Sequence, residues 1–271
     1  MGFLGFGNYQ KEGPGVPKIE PPKKRIQLFF EIYIRRFWDL IKVNLLFLLF
    51  CIPIVTIGPA LSGMTYVIRN YTREEHSFIF NDFWKAFKNN LKQSFPTGII
   101  QILSLGIFYY VISFYYYNLS LGVVYYIGFG ISLFLCLTVL FASNYVYIMI
   151  VTLDLNLKAI CKNAFIFAFV GLKENLFTLL GTVGIVVILA VIFLFVPIPI
   201  NLLILFILLV LMVPATLTFI SCFNSYPLIK KYCIDPYMQS INGNSGEVDA
   251  DDDDESKIFD DKVVHKDNNE V

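Results

Sequence analysis

Proton transfer near neutral pH falls most often to histidine, and this chain of 271 residues has two, His76 and His265. They lie far apart in hydrophilic stretches with no nucleophile beside either, so a solvated imidazole is expected at each. The five cysteines (Cys51, Cys136, Cys161, Cys222 and Cys233) form neither a CxxC pair nor a metal-ligand spacing. Most stand in apolar runs, where a thiol is a small hydrophobe. No Walker A, HExxH, GxSxG or paired-carboxylate arrangement occurs. The densest acidic run, Glu247 to Glu255, puts seven carboxylates in nine positions but lacks the glycine and the spaced ligands of an EF-hand. With nothing nearby to form a core, it reads as part of a disordered acidic tail over 233–271. These residues predict no enzyme, no cofactor and no metal site. No nucleic-acid module is visible, and the basic residues are accounted for by topology.

The elements that carry these residues follow from composition. The chain is 56% hydrophobic and 15% charged, against about 25% charged in soluble domains. Phe95 to Tyr117 is a run of 23 residues without charge, Leu121 to Val151 one of 31, and Asn175 to Ile229 one of 55 with Pro197 and Pro199 near its middle. Crossing a bilayer takes about 20 apolar residues. The expected fold is therefore an all-α, polytopic helical membrane protein with four long spans, at about 95–117, 121–151, 174–197 and 200–226. None of these runs holds an ionisable side chain, which argues against a proton-coupled pump. The polar residues at depth are Asn44, Thr56, Gln101, Thr138, Asn144, Thr182, Asn201 and Thr216. Each reads first as an interhelical hydrogen-bonding group, although a pathway for a neutral sugar could be built from Asn, Gln, Tyr and Trp.

Lysine and arginine orient the spans. Residues 1–232 hold 18 Lys+Arg against 9 Asp+Glu, whereas residues 233–271 hold 3 against 12. Arg69, Arg73, Lys85, Lys88 and Lys92 mark one cytoplasmic segment, Lys158, Lys162 and Lys173 a second, and Lys230 and Lys231 a third. The C-terminus is then cytoplasmic. Residues 1–27, rich in Gly, Pro and Lys and without an apolar h-region, read as a cytoplasmic leader. Eight basic residues over 11–42 place the N-terminus inside as well. If so, the run 43–69 cannot cross once. "CIPIVTIGPALSG", from Cys51, holds Pro53, Gly58 and Pro59, which remove backbone donors and permit unusual dihedrals. Only 26 residues separate Lys42 from Arg69, about 39 Å of helix, too little for two crossings. A short hairpin that returns is one reading, and a single proline-kinked span is the other.

Two stretches before apolar runs have helical periodicity with aromatic and charged sides. Over 28–42, Phe30, Ile34, Phe37, Trp38 and Ile41 oppose Glu31, Arg35, Arg36, Asp39 and Lys42. Over 80–92, Phe80, Phe83, Trp84, Phe87 and Leu91 oppose Lys85, Lys88 and Lys92. Such helices lie in the membrane interface, as anchors or as a docking surface made by Phe83, Trp84, Lys85, Lys88 and Lys92. "FWDLIKVNL" (37–45) and "FWKAFKNNL" (83–91) share a pattern whose last part, K-x-N-L, returns in "AFVGLKENL" (168–176). Three hairpins, each introduced by a helix on the cytoplasmic face, would account for it.

"LIKVNLLFLLFCIPIVTIGPALSGMTYVIRN" followed by "FNDFWKAFKNNLKQSF" resembles the YesL-like family of bacterial multi-pass membrane proteins of unknown function. The matching positions are Asn44, Leu45, Pro53, Thr56, Gly58, Pro59, Ala60, Phe83, Phe87, Lys88, Asn90, Lys92 and Gln93. The resemblance implies no established activity. It implies association with carbohydrate ABC importers in Gram-positive bacteria, and the chain lacks the E-A-A-type signature of the permease itself. The expected role is accessory to oligosaccharide import at the plasma membrane, with the bilayer, importer subunits and further copies of the chain as partners. The alternative is a solute transporter or channel whose pathway is lined by Pro53–Pro59. A single cysteine beside Lys24, in a chain freed of its own five, is expected to resist an impermeant thiol reagent applied from outside; labelling there would favour the kinked crossing.

Overall fold

The computed structural model describes residues 24–198 and 200–244, and these are helical with no strand among them. Three helices are long and apolar enough to span a bilayer: α5 (Leu91–Tyr117), α6 (Val123–Thr152) and α8 (Leu172–Phe195). A fourth candidate is a bent pair, α9 (Ile200–Leu211) and α10 (Val213–Ile229), with a 47° bend at Met212. The chain is an all-α membrane-spanning protein. α5 and α6 form one antiparallel pair, closed by ring contacts such as Tyr115 with Tyr125. α8 and α9 form another, closed by the Asn201 amide, which donates to Phe193 O at 3.1 Å. α10 packs on both α6 and α8 and so joins the two pairs.

The N-terminal part differs from a simple interfacial helix. α1 (Arg25–Arg35) and α2 (Phe37–Phe50) are separated by a bend at Arg36, and α2 runs well past residue 42. After a turn at Cys51–Pro53 and one 3-10 turn, α3 (Ile57–Thr72) returns. The Arg35 guanidinium pairs with Glu74 just beyond α3, and that of Arg36 lies 4.9 Å from the Tyr71 ring centroid. The start of α2 and the end of α3 therefore share one level, and the segment doubles back. α3, at 16 residues, is roughly 24 Å long, short of the hydrocarbon thickness.

α3 is the centre of the molecule. It packs against α2, α4 (Ile79–Asn89), α5, α6 and α10, and twelve of its residues are buried. Small residues make this possible. Gly58 lies so close to α5 that a Cβ there would overlap the Ser94 carbonyl oxygen and come within 3.1 Å of Gly98 Cα. Gly63 is covered by the Phe83 ring of α4. The breaking role expected of Pro53 to Pro59 divides in two. Pro53 stands in the exposed turn, where Ile52, Ile54 and Val55 are also exposed, whereas Pro59 is buried in the first turn of α3, where a missing N–H costs nothing. The Thr56 hydroxyl reaches Phe50 O at 2.5 Å and Pro53 O at 2.6 Å, holding the end of α2.

Two helices have no bounds in the sequence reading, and only the three-hairpin pattern implies the first of them. α7 (Leu157–Val170) lies between α6 and α8 and packs on α6 through Phe167 and Tyr145, with ring centroids 5.5 Å apart. At the C-terminal end a π-helical turn (Lys230–Ile234) leads into α11 (Asp235–Asn244). The expected disordered tail is therefore corrected at its beginning: Ile234 and Met238 are buried in the core, and apolar packing of these two side chains carries order past residue 232. The acidic run 247–255, the first 23 residues, Pro199 and His265 lie outside the described residues.

Replacing Gly58 by Ala forces backbone against backbone and is expected to cost at least 1–3 kcal/mol, roughly the range for overpacked cores. Gly106→Ala, in open space on α5, is the matched control. Thermal unfolding in detergent reads both, and equal stability of the two variants would refute the close-contact role.

Candidate functional site

α4 is built to be held. Asp82 Oδ2 accepts from the Phe78 N–H at 2.7 Å and the Ser77 hydroxyl at 2.6 Å, fixing the start of the helix. Phe83 and Phe87 are buried, and the Phe50 ring from α2 meets Phe83, Trp84 and Phe87 at centroid distances of 5.4, 5.4 and 5.2 Å. Phe83 is thus withdrawn from any partner surface: it is fully buried against Gly63, because that glycine leaves a ring-sized gap in α3. Trp84 stays partly exposed, with the Lys88 ammonium 4.6 Å from its ring centroid. Lys85, Lys88 and Lys92 are exposed. Of the five docking candidates, four keep an accessible edge.

The asparagines of the repeated K-x-N-L pattern do something the pattern alone does not reveal. Asn44, Asn90 and Asn175 are all buried, and each serves a helix break. Asn44 Nδ2 donates to Val210 O at 2.6 Å and Leu209 O at 3.3 Å, and its Oδ1 accepts the Ala215 N–H at 2.9 Å. It bridges the bend between α9 and α10, where backbone groups lose their helical partners. Asn90 donates to Ala86 O at the end of α4, and Asn175 to Ala168 O and Phe167 O at the end of α7. Arg69, read from sequence as a topology marker, is buried in the core. It donates to Val151 O at 2.9 Å, Thr152 Oγ1 at 3.1 Å and Asn70 Oδ1, capping the C-terminal end of α6, where a cation suits the helix dipole.

Of the polar residues expected at depth, Asn44 and Thr216 bond between helices; the Thr216 hydroxyl lies 2.9 Å from that of Tyr33. Thr138, Thr182 and Asn201 instead satisfy carbonyls of their own or the preceding helix. Gln101 and Asn144 face a cavity of about 260 Å³ between the two helix pairs, roofed by Leu61 and Thr65 of α3. Ser143, Tyr147, Thr182, Thr218 and Ser221 complete its polar wall. Ser221 donates to Asn144 Oδ1 at 3.1 Å, while the buried Tyr147 hydroxyl has no protein partner. No charged side chain lines this space. The Pro53–Pro59 segment does not line it either; the helix that follows the break does.

Of the cysteines outside the spanning helices, burial pushes the Cys161 and Cys233 thiols up, away from the reactive thiolate. Among the described residues no three His, Cys, Asp or Glu side chains gather as metal ligands.

Residues 40–112 match the model of a family described as "Protein of unknown function, DUF624". The match falls on α2 through most of α5, the stretch whose residues carry the resemblance to an uncharacterised membrane-protein family. No curated protein and no solved structure matches the chain.

Asn44→Leu strands two carbonyls and one N–H at the bend and is expected to destabilise by about 1–3 kcal/mol. Thr138→Val, which removes a hydroxyl bonded only within its own helix, should change little. Unfolding in graded detergent denaturant separates the two.

Proposed function

We propose that this chain is a non-enzymatic protein of the plasma membrane that assists an oligosaccharide ABC importer, with the basic end of its helices in the cytoplasm. The observation that carries this reading is the lysine face of α4. Lys85, Lys88 and Lys92 stand exposed beside the edge of Trp84 on a helix clamped to the buried hub. A preorganised surface loses little freedom when it docks, and a cationic face selects an acidic one. The resemblance of residues 28–230, most specific in their first half, to membrane proteins associated with carbohydrate import supplies the partner. Copies of the chain itself are a further partner within the bilayer. Affinity capture from mild detergent is expected to bring importer subunits, and K85E/K88E/K92E to release them without lowering the yield of the protein. A protein recovered alone under the same conditions would refute the role.

A second reading is a small-solute carrier in its own right, which the uncharged cavity beside α3 favours. Its volume of about 260 Å³ is just under the roughly 300–1,000 Å³ of pockets for drug-sized ligands. It suits one small neutral solute and not an oligosaccharide. Glucose uptake into liposomes holding the purified protein should then exceed that of empty liposomes and fall in Gln101→Leu. Uptake equal to the empty control would refute this reading and leave the first intact.

A further inference from the structure

A second space lies at the basic end of the molecule, between α1 and the α8–α10 pair, with a volume of about 480 Å³. Its composition is graded. The mouth carries Lys24 and Arg25 at the start of α1, Lys173 at the start of α8, and Asn224. The walls beyond are Phe29, Phe177, Ile220 and Phe223, and Gly181 opens the floor. From Lys173 to Gly181 is eight residues along α8, roughly 12 Å of depth. No carboxylate lines it.

The rim is held in place. The Arg25 guanidinium donates to Asn224 Oδ1 at 3.2 Å and Asn224 O at 3.4 Å, and it lies 5.7 Å from the Phe223 ring centroid. Asn224 in turn donates to Thr178 Oγ1 at 3.1 Å. Lysines at helix ends ordinarily snorkel to the interface and need no ligand. Here, however, two helices from distant parts of the sequence bring three cations to the mouth of one apolar crevice, and one of the cations is tethered by a buried asparagine. A free anion would satisfy the mouth and leave the aromatic walls without an occupant. An apolar chain would fill the walls and leave the cations without one.

We propose that this crevice is a binding site for an anionic phospholipid, with its phosphate between Lys24, Arg25 and Lys173 and the upper part of one acyl chain against Phe177, Gly181 and Ile220. Basic pockets between spanning helices hold anionic head groups in this manner. The lipid would also seal α1 to α8 and α10, so it acts as a structural component of the bundle. The inference does not depend on the docking or carrier readings.

The full chain, reconstituted in nanodiscs of equal parts phosphatidylglycerol and phosphatidylcholine and then extracted in mild detergent, tests this by analysis of the lipid that stays bound. Phosphatidylglycerol is expected to be enriched several-fold over the mixture, and the enrichment to fall on the order of fivefold for each cation removed, in Lys173→Gln and in Arg25→Gln. Gly181→Val, which narrows the crevice but keeps the charges, should reduce the total lipid retained. Lys173 is exposed, so its replacement by Gln removes no core packing. Unbiased retention of the two lipids, or enrichment unchanged in Lys173→Gln, overturns the site. Inorganic phosphate that strips the enrichment completely would overturn the lipid in favour of a free anion, whereas enrichment that survives phosphate supports the lipid.

Discussion

One short helix with almost no exposed face organises everything else. α3 is touched by five other helices, and a helix can be surrounded so closely only where its neighbours reach its backbone. In lipid there is little hydrophobic drive to press helices together, and close approach of small residues takes its place. Gly58 and Ser62 stand four apart, with Ala60 and Gly63 beside them, and all four are buried. The contact of Gly58 with Ser94 and Gly98 seats α3 on α5. The gap at Gly63 admits Phe83 and so brings α4 into place. Arg69 at the other end fastens α6. Remove the close approach and α4, α5 and α6 lose their common support.

The sequence shows the spans plainly, because charge-free runs of 23 to 55 residues are long enough to cross hydrocarbon and too apolar to face water. It shows less well where the chain is packed most densely. The Pro53 turn is visible as a break, but its direction is decided by Arg35 with Glu74 and Arg36 with Tyr71, contacts across more than thirty residues that no local pattern encodes. By periodicity Phe83 is one member of an exposed aromatic face, yet the identity of its neighbour, a glycine twenty residues earlier, turns it inward. α7 is implied by the third copy of the repeat, but its bounds are masked by polar content, from Lys158 to Asn163, on a helix whose other side faces Tyr145. Arg69 has the look of a water-side charge, since sequence alone cannot show that three oxygens await it.

The asparagines show a different kind of partial legibility. The repeat K-x-N-L is apparent in the sequence, but its meaning is not. A lysine with an asparagine buried two positions later occurs in all three copies. At Asn44 the amide both donates and accepts, standing in for the missing partners of an interrupted helix, whereas Asn90, Asn175 and Asn201 use only its donor. Where backbone groups lose their helical bonds inside a membrane protein, a side chain that repairs them is worth more than one that merely fills space. The same residue type closes the α8–α9 turn at Asn201, outside any repeat. The chain thus uses one chemical device at several bends.

The two halves of the molecule differ for the same reason. Toward the basic end, α3 fills the space between the helix pairs with small and polar residues, and the helices converge on it. Toward the opposite end nothing among the described residues takes its place: Tyr109, Tyr117, Leu194 and Phe195 are exposed, apolar enough to meet lipid without cost. Two spaces that can hold a ligand follow this boundary, whereas a third, of about 500 Å³ between α8 and α9, is lined by apolar side chains alone. The polar cavity lies where α3 meets the parting pairs, with uncharged groups because no countercharge is available at that depth. The crevice beside α1 lies at the edge of the same packed half, where lysines reach water and aromatic walls reach acyl chains. The polar cavity takes its place from α3, whose Leu61 and Thr65 line it after the chain has turned back at Pro53, and the crevice takes its own from α1, α8 and α10.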